Sequence, residues 1–193
     1  MKFLGFLGKE IVLGTLIALL SVLTALASYQ GSIADSKQNE NEVLGMKHLN
    51  DGNAFYLSAN QSIVYDYTMY DGWYTTSDPE HEAYYQASYS QELQDSIAAN
   101  PDDPFSEAYY DAMYTNAYDE WEQSDTAFDL AGQYDSQGDG LQLVVLTMAL
   151  GLAFAAWASL LKEESNMRVF FALFATIMLT LGVFFYTIVP PVG

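Results

Sequence analysis

Three uncharged apolar runs, 11–28, 141–161 and 169–189, divide this chain around one insert of 112 residues, 29–140. At about 1.5 Å of rise per residue, each 21-residue run reaches about 31 Å as a helix, close to the thickness of a hydrocarbon core. The spacing therefore predicts an integral membrane protein with three transmembrane helices, its partner being the lipid bilayer itself. The segments it defines are a short N-terminal stub with the first span (1–28), the insert (29–140), and two closing spans with a short link (141–193).

The few basic residues give the expected orientation. Lys2 and Lys9 precede the first span, while Lys162 and Arg168 bracket the link between the second and third. Basic residues near span ends stay preferentially on the cytoplasmic side, which places the N-terminus and that link in the cytoplasm. The insert and the C-terminal Pro190-Pro191-Val192-Gly193 then face outward. This insert holds 22 of the 25 acidic residues and only two lysines, Lys37 and Lys47, for a formal charge of −20.

The first run has a second reading. Lys2 and Lys9, an apolar stretch and Ala25-Leu26-Ala27 also make the pattern of a cleaved secretory signal. Its 18 uncharged residues exceed the typical signal core of about 7–15. Small residues at Gly14, Ala18, Ser21, Ala25 and Ser28 recur every three or four positions, as in a retained span that lets another helix approach closely.

No cysteine is present, so disulfides, thiolate metal sites and thiol redox chemistry are excluded, and packing alone must order the insert. With 14 Tyr, two Trp and three Phe it is too aromatic for a solvated linker. Ala, Gln, Glu and Leu outnumber β-branched residues, which favours helices over strands. The expected fold class is an all-α membrane protein.

Proline positions divide the insert. None occurs before Pro79, so one helix can run from the first span to Thr76, its weak point being the turn-like Asn50-Asp51-Gly52-Asn53. Tyr56, Ile63, Tyr67, Tyr70 and Tyr74 fall on one face of it as a packing stripe. Asp78 is placed to cap a second helix, Pro79 to about Ala98, and Asp103 a third, Pro104 to about Ala131. In that third helix Phe105, Tyr109, Met113 and Ala117 form one row; Tyr110, Tyr114, Tyr118, Trp121 and Phe128 form the next. Gly132, Gly138 and Gly140 read as a hinge into the second span. Outward and returning lengths match at about 58 and 72 Å. They predict an elongated extracytoplasmic helical hairpin between the first and second spans, tipped near Gly72.

Sites for chemistry are sparse. Asp135-Ser136-Gln137-Gly138-Asp139-Gly140 begins like a calcium loop, but the closing twelfth position is Leu146, inside the second span. His48 and His81 lack partners in the sequence, and His81-Glu82 has Tyr85 where a zinc-protease motif needs histidine. Asp119, Glu120, Glu122 and Asp125 read as a solvated face. There is no nucleophile elbow, phosphate loop or basic tract, so catalytic, cofactor and metal residues, and nucleic-acid binding, are not expected. The spans contain no charged side chain of the kind that marks ion paths. Thr176, Thr180 and Thr187 lie near one face of the third span, where hydroxyls usually bond their own helix or a neighbour.

In its overall topology, and in the helical passage Leu49-Asn50-Asp51-Gly52-Asn53-Ala54-Phe55-Tyr56-Leu57 through Asn60-Gln61, the chain resembles uncharacterised small bacterial three-span membrane proteins with a helical extracytoplasmic insert. That resemblance implies a prokaryotic inner-membrane location and carries over no active residue. The residues themselves point to a non-enzymatic accessory or scaffold subunit that contacts itself, as a homo-oligomer, or another membrane or exported protein. The alternative is a small homo-oligomeric channel whose acidic insert concentrates cations.

Overall fold

The computed structural model describes residues 4–192, which leaves Met1, Lys2, Phe3 and Gly193 outside the description. The basic flank at Lys2 and the end of the C-terminal stub fall among those residues. All regular structure among the described residues is helical: a 3-10 turn at Leu4–Gly8, then α1 (Glu10–Thr75), α2 (Pro79–Ala87), α3 (Gln91–Ala99), α4 (Glu107–Leu160) and α5 (Asn166–Thr187). Three of these, α1, α4 and α5, are long and apolar enough to cross a membrane, the hallmark of a multi-pass membrane protein. The chain forms two compact units, one containing residues through Glu42 and from Asp129 onward, the other Val43–Phe128.

In the first unit, parts of α1 and α4 pack with α5 around Leu16, Leu20, Ala27, Leu141, Val144, Met148, Ala155 and Ala175. Small residues set the approach. A β-carbon on Gly151 would come within 2.9 Å of Leu20 Cδ2 and Met178 Cβ, and one on Gly182 within 2.7 Å of Met148 Cε. Where lipid is as apolar as the side chains, such close contact is the main source of helix association. The stripe Gly14, Ala18, Ser21, Ala25 and Ser28 is not used this way: all five are exposed, and a β-carbon on Gly14 would meet nothing within 4 Å. The first span packs instead through Leu13, Leu16, Leu20, Ala27, Gly31 and Ala34, whose shapes mesh with their neighbours.

The expected hinge at Gly132, Gly138 and Gly140 is absent, because α4 runs through all three. Two of them serve packing. Asp35 Oδ1 lies 2.8 Å from where a Gly138 β-carbon would be, and Val189 Cγ2 lies 3.4 Å from that of Gly140. With every α-helical hydrogen bond intact, glycine's conformational freedom costs about 1 kcal/mol per site and does not by itself break the helix.

The second unit pairs residues 43–75 of α1 with 107–128 of α4 in antiparallel register. Ser124 Oγ donates to Gly45 O at 2.9 Å, and Tyr114 OH to Asn60 Oδ1 at 2.9 Å. α1 passes unbroken through Asn50-Asp51-Gly52-Asn53, as the lack of proline allows. The glycines in α1 are seats for rings. β-carbons on Gly45, Gly52 and Gly72 would come within 2.9, 2.6 and 2.6 Å of Phe128, Trp121 and Tyr85.

Three local expectations are corrected here. The second helix ends at Ala87 and not near Ala98, and a separate α3 starts after Ser90, because Ser90 is drawn to a buried carboxylate on α1. The third begins at Glu107, not at Pro104 under an Asp103 cap. Pro104 is buried with its carbonyl accepting from Ser96 Oγ at 2.6 Å, and Phe105 stacks on Tyr67 with centroids 4.0 Å apart; together they hold this segment out of the helix until Ser106. The core stripe is also rotated. Ile63 is buried, but Tyr56 and Tyr67 are each 40% exposed and Tyr74 76%. Small residues let α4 approach instead, so the seam follows Gly45, Gly52 and Ala59, all buried, and the tyrosines flank it.

Candidate functional site

The second unit holds the chain's densest side-chain chemistry, and it centres on Asp66. This carboxylate, fully buried on α1, accepts at Oδ1 from the Ser90 backbone N–H at 2.8 Å. Oδ2 accepts from Ser90 Oγ and from Tyr109 OH, the latter at 2.8 Å. Ser90 Oγ in turn accepts from Leu93 N at 3.1 Å, capping α3. One carboxylate thus ties α1 to the starts of α3 and α4. Such a buried charge is tolerable because three donors satisfy it.

Around it lies an aromatic cluster. Phe105 stacks on Tyr67 and meets Tyr70 and Tyr109 edge-on, at 5.4 and 5.3 Å. Tyr67 and Tyr110 join hydroxyls at 2.6 Å. Burial, then the Asp66 hydrogen bond, push the Tyr109 phenol well above its ordinary range. Tyr89 is pushed up to about 12, chiefly by burial, and its hydroxyl has no hydrogen-bond partner among the described residues. Tyr110 also reaches about 12, first through its bond to Tyr67.

Nearer the other end of the unit, His48 Nδ1–H donates to Glu120 Oε2 at 2.6 Å, with both side chains largely covered. His48 therefore has the partner that its sequence surroundings did not reveal, supplied by α4 from 72 residues away. Of the remaining acidic cluster, Asp119, Glu122 and Asp125 are exposed. His81 has only Asp78 Oδ2 at 3.8 Å, while Asp78 Oδ1 caps α2 through Glu80 N at 2.9 Å.

These groups do not converge on one site. Asp66 and Ser90 lack a histidine, since His48 lies 18 residues away on the same helix, about 27 Å along its axis. Asp66, Ser90 and Tyr109 bond one another across helices, and His48 Nδ1 bonds Glu120 Oε2. Asp135 and Asp139 of the calcium-like segment are exposed on a continuous helix, and a loop's wrapping carbonyls are missing there. In α5 the Thr176, Thr180 and Thr187 hydroxyls donate to Ala172 O, Thr176 O and Phe184 O at 2.9, 3.0 and 2.7 Å, within their own helix.

Asp66 escaped the sequence reading, although an acid between Ile63 and Tyr70 on an apolar face was the available signal. Beside its exposed acids the second unit also presents apolar side chains: Val43, Leu57, Val64 and Tyr74 of α1 are all more than 60% exposed. Compared with known protein families, with curated proteins and with solved structures, the chain matches none.

Proposed function

We propose that this is a non-enzymatic, membrane-anchored interaction protein, an accessory or scaffold subunit of the cytoplasmic (inner) membrane. Its N-terminus lies in the cytoplasm, and the Val43–Phe128 unit forms the working part of an extracytoplasmic helical hairpin. The lysine-poor, strongly acidic composition of that unit and the basic residues at Lys9, Lys162 and Arg168 support this orientation.

One observation carries the reading. The second unit has a well-filled seam and yet leaves large apolar side chains of α1 in solvent, while its chemically capable groups are spent on holding helices together. Exposed apolar surface of this extent on an ordered domain marks an interaction site.

In-cell cross-linking of a tagged copy, followed by mild-detergent purification and mass spectrometry, tests it. A stoichiometric protein, or a second copy, linked through residues 43–128 is the expected result. A monomer with no linked protein and complete hydrogen-exchange protection along α1 would end the proposal.

A further inference from the structure

Within the second unit, the side of α1 turned away from its seam is open and mixed: an apolar line runs along it, with the exposed Lys47 and Gln61, seven residues either side of Ala54, beside that line. Val43, Met46, Ala54, Leu57 and Val64 lie on it with Asn50, all exposed. Val43, Asn50, Leu57 and Val64 recur every seven residues, the period of a helix seam. The unit carries 16 acidic residues against Lys47, yet this stripe has none. Between Val43 and Val64 the sole acid of α1 is Asp51, one position on from Asn50 and so about 100° around the helix.

We propose that this face docks a second copy of the same chain, parallel and side by side, with Asn50 meeting Asn50. The inference rests on the interaction reading above and names its partner. Two units of formal charge −15 repel wherever their acids face one another, and the acid-free stripe lets them touch without setting acid against acid. A basic partner would be drawn to the acid-bearing surfaces instead. Membrane anchoring holds all copies in one plane and one sense, which favours the parallel pair and raises its effective concentration. Val43, Leu57 and Val64 at the seven-residue positions supply the apolar contact of a parallel seam, and the one asparagine among them fixes its register, because each side-chain amide finds its counterpart at the same height.

Single-cysteine variants of the full chain test this, since the native sequence has no cysteine to interfere. Asn50→Cys, Leu57→Cys and Val64→Cys in native membranes should each give a homodimer within minutes of mild oxidation, with at least tenfold more product than Asp125→Cys, an exposed position on α4. Absence of dimer, or equal yields at Asp125→Cys, would overturn the proposal. A second variant guards against misfolding: Leu57→Glu alters a side chain that is exposed in the single chain. It should convert the detergent-solubilised dimer to monomer while leaving helix content unchanged. If Leu57→Glu leaves the dimer intact but releases a different protein, the self-pair is wrong and the interaction reading stands. If the wild type is monomeric and binds nothing through this face, both fall.

Discussion

Trp121 sets the Cδ1–Nε1 edge of its indole against Gly52, and a β-carbon at position 52 would sit 2.6 Å from Cδ1 and 3.2 Å from the Ala117 carbonyl oxygen. A glycine that looked like a turn from its neighbours is thus a seat for a ring. Gly52→Ala should destabilise the full chain by about 1–3 kcal/mol through overpacking, read by thermal unfolding in detergent. In a Trp121→Ala background the ring is gone and only the 3.2 Å approach to the Ala117 carbonyl remains, so the same substitution should cost clearly less than in the wild type. An equal loss in both backgrounds would show that the ring is not the cause.

Asp66 should prove the costliest polar position of the second unit. Asp66→Ala strands the Ser90 N–H and two hydroxyls, a loss of about 2–4 kcal/mol. Asp66→Asn should cost less, because Oδ1 can still accept from the Ser90 N–H while the hydroxyls of Ser90 and Tyr109 turn to accept from the new amide. Hydrogen exchange should localise the first loosening to the start of α3. Uniform loosening over the whole unit would contradict this division of labour.

Much of the architecture was legible in the sequence. Three apolar runs marked the three long helices, the lack of proline before Pro79 allowed α1 its full length, and Asp78-Pro79 marked the start of α2. The misplaced boundaries lie where a distant residue decides. Asp66 captures Ser90 from 24 residues away and so ends α2 early, and Phe105 is drawn among Tyr67, Tyr70 and Tyr109 and so delays α4. The seam was misread for a related reason: large aromatics dominate a helical wheel, whereas helices that pack closely meet at Gly45, Gly52, Ala59, Ala117 and Ser124, whose seven-residue spacing was visible but small in hydropathy. Of the candidate site, His48 was seen without Glu120, and Asp66 was not seen, since partners 72 and 43 residues away leave no local trace.

Alkaline pH should unfold the second unit. Unfolded tyrosine ionises near pH 10, whereas folded Tyr89 and Tyr110 hold their protons to about 12 and Tyr109 holds its proton longer still. The folded state therefore binds more protons above pH 10. Its stability is whole below that pH and falls as pH rises toward and through 12. Tyr89→Phe should raise stability at pH 7 by about 1 kcal/mol, because it removes a buried hydroxyl without a partner, and should make the alkaline decline shallower. Absorbance at the phenolate band during a pH titration would report the late-titrating tyrosines. Their ionisation near pH 10 in the folded chain would refute the assignment.

Arg168 is the fastening of the first unit. Read from sequence as a charge flanking a span, it lies inside α5 and is only 3% exposed. Its Nε donates to Gly8 O at 2.7 Å and its Nη1 to Leu161 O at 2.8 Å. Each carbonyl lies at a helix C-terminal end, where a cation is favoured. The planar fork thus ties the N-terminal 3-10 turn and the end of α4 to the start of α5. Lysine keeps the charge but presents one compact ammonium, which cannot reproduce two bonds in fixed directions. Arg168→Lys should therefore cost about 2 kcal/mol, near the value of one charged hydrogen bond, and Arg168→Ala more. Thermal unfolding of the full chain in detergent reads the loss, and an accessibility assay on an added terminal tag reads topology. If Arg168 acted only as a topological charge, Arg168→Lys would match the wild type in both; a destabilised protein with unchanged orientation is the result expected of a fastening.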